Sequence, residues 1–127
     1  MNVEQLSFLN DIDEKKVRKA VIKQLKRFKA IRVAVQNKDE QLTEGVIDPF
    51  PIIFDNEKEK RLKVKQVERA LLFALDDIER TIIERKYLSS NREKDIHIYM
   101  DLGINKDQFY EYKKQAIFSI AEALNIV

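Results

Sequence analysis

Few side chains in this chain are of the types that perform acid–base or nucleophilic chemistry. Asp76, Asp77 and Glu79 lie close together, and His97 is the only histidine. The three acids stand where a helix is expected to begin. Capping explains them better than catalysis, because no nucleophile or phosphate-cradling loop accompanies them. His97 has no ligand cluster at helical spacing, so we expect it on the surface or half-buried. We therefore expect no enzyme activity, no metal and no cofactor.

A second set of side chains can form hydrogen bonds with a ligand. They face outward over the first two turns of a helix that is predicted to run from about residue 106 to residue 124. In a helix-turn-helix, side chains at this end of the second helix reach base edges in the major groove of DNA. The predicted base contacts are Lys106, Asp107, Gln108, Tyr110, Glu111 and Lys114.

Positive charge is concentrated near the N-terminus, although the net charge is only +2. Ten Lys or Arg residues and no acid lie between Lys15 and Lys38. Apolar residues recur there at helical spacing, which predicts a long helix with one apolar and one basic side. The basic side could be a solvated face, a phosphate-contacting surface or a site for anionic lipid, and the segment alone does not choose among them. The candidate accessory phosphate contacts are Lys15, Lys19, Lys23 and Lys26.

The composition favours a single all-α domain. The chain has 127 residues with two glycines, two prolines, no cysteine and 36% charged residues, which is typical of few turns and many solvated helix faces. The absence of cysteine excludes disulfides and thiolate zinc sites and suits a reducing compartment. No apolar run approaches the roughly 18 residues of a membrane span, and the N-terminus carries acids where a signal peptide has bases. We expect a cytoplasmic protein with no membrane partner.

Three segments are expected along the chain. Residues 1–36 form the basic amphipathic helix, residues 37–56 form a linker, and residues 57–127 form a unit of three helices. The linker contains DPFPIIF, which should be extended because each proline disfavours helical geometry in the residue before it. Its apolar side chains are predicted to dock on the helical core. They are Phe50, Ile52, Ile53 and Phe54.

Gly103 is expected to form a tight corner inside the C-terminal unit. A short helix over about residues 93–102 precedes it, and Asn105 is a suitable N-cap for the last helix. A residue just past a helix end often adopts the left-handed conformation, which glycine tolerates without steric cost. A short helix, a tight corner and a long helix match the geometry of a helix-turn-helix.

From Leu75 onward the chain, with ERTIIERKYL and DIHIYMDLGINKDQFYEYKKQAIFSIAEAL, resembles the fourth region of bacterial sigma factors. It resembles more closely the ArpU-like phage regulators, which pair that motif with an N-terminal stretch similar to FLNDIDEKKVRKAVIKQLKRFK. The resemblance covers most of the chain, and the linker is its least constrained part. It implies a sequence-specific transcription regulator that binds double-stranded DNA and acts on late phage or prophage genes in a Gram-positive host.

The predicted last helix is electrically balanced, with three lysines and three acids, so phosphate affinity must come partly from other residues. The candidate backbone contacts are Arg85, Lys86, Arg92, Lys94, Asn105 and Lys113. Host RNA polymerase and a second copy of the chain are further candidate partners. Phe118 points to the exposed side of this helix, so it either packs under the N-terminal helix or marks a protein contact. The main alternative function is a protein-interaction module that binds RNA polymerase or another regulator without reading DNA.

Overall fold

The computed structural model describes residues 11–46 and 49–127, and side chains of the first range from residue 13 onward. Residues 1–10 of the predicted N-terminal segment and residues 47–48 of the predicted linker lie outside these ranges. The regular structure of the described residues is helical throughout, so the predicted all-α fold class is confirmed. No helix in the described ranges is long and apolar enough to cross a membrane. The helices are α1 (Asp11–Glu44), α2 (Glu57–Phe73), α3 (Asp77–Ile83), α4 (Asp95–Asp101) and α5 (Lys106–Ala123).

α1 is longer than the sequence pattern indicated. The predicted boundary at residue 37 is too early, because NKDEQLTE contains neither proline nor glycine and continues the helix to Glu44. Gly45 ends it with a φ of +71°, and the N–H of Val46 donates to the carbonyl oxygen of Gln41 at 3.0 Å. The helix therefore stops where the backbone can turn left-handed rather than where its apolar stripe ends.

The apolar segment after α1 does not dock on the core. Ile53 is fully exposed, and Phe50, Ile52 and Phe54 are exposed over more than half of their surface. The segment lies beside the end of α1 and the start of α2, where it borders a cleft of about 190 Å³ that also includes Val35. The docking prediction is therefore wrong for a single copy of the chain, because this cleft does not enclose the four side chains.

The main core is formed where α1 packs against α2, α5 and the segment that follows α3. Val21 and Leu25 of α1 are fully buried, and Phe118 of α5 is 2% exposed in the same cluster. Of the two expectations for Phe118, packing against the N-terminal helix is the one that the structure confirms.

A second, smaller core cluster lies between α3, α4 and α5. Ile82, Ile98 and Phe109 are fully buried at its centre, one from each helix. Ile104 packs against them from the turn between α4 and α5. This cluster fixes the start of α5 against the two preceding helices, so the position of that start depends on buried side chains and not on the turn alone.

Candidate nucleic-acid interface

The corner between α4 and α5 has the predicted left-handed glycine. Gly103 has a φ of +68°, and its N–H donates to the carbonyl oxygen of Met100 at 3.1 Å. The N–H of Ile104 donates to the carbonyl oxygen of Tyr99 at 3.0 Å. These two bonds are those of a Schellman motif, which satisfies carbonyl groups that the end of a helix would leave unpaired.

The first turn of α5 is fixed by a capping box. The Asn105 Oδ1 atom accepts the backbone N–H of Gln108 at 2.8 Å, and the Gln108 Oε1 atom accepts the backbone N–H of Asn105 at 3.0 Å. Asn105 is therefore the N-cap, as predicted. The side-chain oxygens of Asn105 and Gln108 are both occupied within the fold. Only the amide nitrogens of these two side chains are left to donate to a ligand.

The outward face of α5 begins with five exposed side chains. They are Lys106, Asp107, Gln108, Tyr110 and Glu111. The Tyr110 ring has two ammonium groups near it, with the Nζ of Lys106 at 5.9 Å and the Nζ of Lys113 at 4.9 Å from its centroid. Cations over an aromatic face are attracted by its quadrupole, so these contacts restrict the ring. This face presents an amine, two carboxylates and a phenol within two helical turns.

Lys114 is placed differently from the other predicted base contacts. Its Nζ lies 3.2 Å from the Oε1 of Glu14, and the side chain is half-buried against α1. The ion pair joins the middle of α5 to the start of α1. Lys114 therefore contributes to helix packing, and we leave it out of the base-contacting set.

Two of the predicted phosphate-contacting residues also have partners within the fold. The Arg85 guanidinium binds both carboxylate oxygens of Glu93, at 2.8 and 2.5 Å, and it binds Asp101 at 2.8 Å. Lys86 is hydrogen-bonded to Asp95. Arg85 lowers the pKa of Glu93, and the two carboxylates raise the pKa of Arg85. These bonds tie the segment after α3 to α4, so both cations act in positioning.

The segment that carries Arg85 and Lys86 is a π-helical turn, Glu84–Leu88, which continues α3 without a break. The turn ends where the Nζ of Lys29 donates to the carbonyl oxygen of Ser89 at 2.9 Å, which links it to α1. Arg92 and Lys94, in the following loop, are exposed. They remain the accessible members of the basic group beside α4.

Lys113 is a half-buried cation within the interface. Its Nζ lies 5.7 Å from the centroid of the Phe109 ring. Burial lowers the pKa of Lys113, and the nearby charges of Lys86 and Arg18 lower it further, against the opposing effect of Asp95. A half-buried ammonium close to other cations is stabilised when an anion approaches it.

The basic side of α1 is exposed. Lys15, Lys19, Lys23 and Lys26 are open to solvent, and none of them has an ion pair within the described part of the chain. Sequence reasoning missed the roles of Glu14 and Arg18, which lie one turn apart and face α5. Their i, i+4 spacing was visible in the sequence, but only the packing of α1 on α5 identifies what they face.

Comparison with models of protein families, with curated proteins and with solved structures finds no match to this chain. A functional assignment therefore depends on the geometry and charge of the site and on the sequence pattern.

Proposed function

We propose that the protein is a sequence-specific regulator of transcription that binds double-stranded DNA and acts on late genes of a phage or prophage. The observation that carries this proposal is the exposed start of α5, fixed by the Gly103 turn and the capping box, in a chain whose α1 also has an exposed basic side. In this proposal α4 and α5 are the two helices of a helix-turn-helix. The sequence resemblance to ArpU-like regulators supports the same function.

Base edges would be read by the five exposed side chains at the start of α5, with Gln108 contributing its amide nitrogen as a donor. The ammonium of Lys106 can donate to the oxygen and nitrogen acceptors of guanine, while Asp107 and Glu111 can accept from the amino group of cytosine. The Tyr110 hydroxyl can donate or accept, and its ring is restrained by the two lysines beside it. A restrained side chain loses less conformational entropy on binding, which favours its use in recognition.

Phosphate affinity would come from residues around the reading face. The exposed lysines of α1, with Arg92 and Lys94, carry positive charge that carboxylates of the described chain do not neutralise. Arg85 and Lys86 are left out of this group because of their bonds to acids of α4 and the preceding loop. Because each neutralised phosphate releases counterions, affinity for random DNA should fall steeply with salt.

The test is DNA selection from a random pool, followed by binding isotherms on selected and random duplexes at two salt concentrations. A variant with Asp107→Ala and Glu111→Ala should lose discrimination but keep or gain affinity for random DNA, because two acids near the phosphates are removed. Each lost base contact should cost about 1–3 kcal/mol of discrimination. The matched control is Glu40→Ala with Glu68→Ala, two exposed acids on α1 and α2. Absence of retardation at low salt, or unchanged discrimination in the first variant, would contradict the proposal.

A second candidate function is a protein-interaction module that binds RNA polymerase or another regulator. The observation that favours it is the exposed apolar segment with Ile53 and Phe54, because contiguous exposed apolar side chains often mark protein contacts. Replacing both residues by Ser should abolish capture of host RNA polymerase and leave DNA binding unchanged. Capture of polymerase by the wild-type chain without any DNA retardation would favour this function over the first.

A further inference from the structure

A groove runs between the start of α1 and the first half of α5. Its volume is about 380 Å³, which is in the range of small-ligand sites. Ile117 and Phe118, each 2% exposed, contribute apolar surface to it. The polar lining comes from both helices. It consists of Glu14, Arg18, Tyr110, Lys113 and Lys114.

The charges that line the groove do not balance. It contains three cations and one carboxylate, and that carboxylate, Glu14, is paired with Lys114 at 3.2 Å. Arg18 and Lys113 have no ion pair within residues 13–46 and 49–127. Lys86 is a further cation near the groove, but it is bonded to Asp95. The groove therefore has two cations without an ion pair over an apolar surface, and Asp95 partly offsets the charge of Lys113.

These two cations suit an anion with several oxygen atoms. Arginine presents a planar set of donors that can bind two oxygens of one phosphate, and lysine adds a compact charge from the opposite wall. The partial burial that lowers the pKa of Lys113 also reduces its contact with water, so an anion bound there would interact with it more strongly than at a fully solvated lysine. The groove also adjoins the reading face, because Tyr110 belongs to both.

We propose that this groove binds one phosphate of the DNA backbone through Arg18 and Lys113. The proposal rests on the proposed function for the source of the phosphate. Such a contact would lie next to the base-reading side chains, so it would fix how far α5 enters the major groove. The proposal also gives a phosphate contact to Arg18, a residue that the sequence pattern did not single out.

The first test measures random-DNA affinity of the Arg18→Ala and Lys113→Met variants across a salt series. Loss of one phosphate contact should lower the slope of log K against log salt by about 0.9, which corresponds to about eightfold weaker binding at 0.1 M salt. Lys65→Ala is the control, because Lys65 is an exposed lysine of α2 outside the groove. Lys113→Arg keeps the charge and should retain most of the affinity. If both groove variants bind like the control, the proposed contact is wrong although DNA binding stands.

Thermal unfolding of the same variants separates binding from packing. Lys113→Met removes a buried charge and keeps a flexible apolar chain beside the Phe109 and Tyr110 rings. Its melting temperature should equal or exceed that of the wild type while its DNA affinity falls. If the role of Lys113 were only structural, the substitution would lower both the melting temperature and the DNA affinity. A parallel fall of stability and affinity would therefore overturn the assignment.

Titration with inorganic phosphate, followed by NMR, distinguishes the two possible sources of the phosphate, which are the DNA backbone and free inorganic phosphate. Chemical shifts of the Arg18 Nε–H group and of backbone amides at residues 113–118 should change in the wild type, and the backbone amide shifts of the Arg18→Ala variant should not. Phosphate-induced shifts at the groove together with DNA retardation support the proposal. The same shifts in a protein that does not retard DNA at low salt would reject both the DNA source and the proposed function. Absence of shifts, with DNA affinity unaffected by Arg18→Ala, would reject the groove alone.

Discussion

Replacement of Gly103 by Ala should destabilise the protein through its backbone alone. A Cβ built at this position has no atom within 4 Å, so there is no clash to relieve, but the φ of +68° is strained for any L side chain. That conformation costs a non-glycine residue about 1–2 kcal/mol. The smaller entropy of the unfolded alanine chain offsets part of this cost. We expect a net loss of about 1 kcal/mol.

The other glycine provides a matched control. Gly45 has a φ of +71°, equally open space around its Cβ position and the same pattern of hydrogen bonds at the end of α1. The last turn of α1 is exposed, so fraying there can relieve the strain at little cost in buried surface. At Gly103 the neighbours Leu102 and Ile104 pack against the second core cluster, and fraying would expose that cluster. Gly103→Ala should therefore cost more than Gly45→Ala.

Thermal and urea unfolding measure the difference. With an unfolding entropy of about 2.1 cal/mol/K per residue, a loss of 1 kcal/mol should lower the melting temperature by about 4 °C in a chain of this size. Gly103→Asn should recover part of the loss, because asparagine tolerates the left-handed region better than alanine does. A Gly103→Ala protein as stable as the wild type, or equal losses for the two glycine variants, would refute this reasoning.

Further predictions concern two carboxylates and one core side chain. Burial raises the pKa of Glu79, so the wild type gains stability as this carboxyl is protonated in acid. Glu79→Gln should lack that gain and should match or exceed the stability of the wild type at pH 7. Glu79→Ala should lose about 1 kcal/mol of capping energy. Urea unfolding at pH 7 and in acid measures both effects. Arg85 lowers the pKa of Glu93, so its contribution is present above the ordinary carboxyl pKa and is lost as the pH falls through the lowered value. Glu93→Gln should be less stable than the wild type at pH 7 and should lose less stability than the wild type as the pH falls. An equal loss of stability in acid for the two proteins would contradict this. Phe118→Ala should cost about 3–5 kcal/mol in urea unfolding, whereas Phe73→Ala, at an 83% exposed site, should change stability by less than about 0.5 kcal/mol.

The features that sequence predicted best are those fixed by a few consecutive residues. The left-handed Gly103, the Asn105 cap and the start of α3 after Asp76 all follow from local backbone chemistry. The buried side of α1 also followed from its periodicity, because a helix this amphipathic has only one face that can enter a core. In each case the energy that decides the structure lies within one or two turns of chain.

The partners of the charged side chains could not be predicted in the same way. Arg85 and Lys114 each bind an acid from another part of the chain, and these acids come into reach only after the helices have packed. The sequence shows that both are cations but does not show which carboxylates lie near them. The π-helical turn at Glu84–Leu88 likewise had no signal, because its residues are ordinary helix formers.

The apolar segment shows a different limit of sequence reasoning. Hydrophobicity at Phe50 and Ile53 predicted burial, but burial also requires a surface shaped to receive the side chains, and the neighbouring cleft is too small to enclose them. Transfer free energy alone therefore does not locate a docking site.

α1 connects the proposed phosphate contacts to the proposed base contacts. It is joined to α5 by the Glu14–Lys114 ion pair and to the π-helical turn by the bond from Lys29 to Ser89, and its buried stripe packs on both. The basic side of α1 therefore cannot move independently of the reading face of α5. Under the proposed function, general affinity and sequence discrimination would be coupled through one interface between helices, because phosphate contacts would set the depth at which α5 meets the base edges.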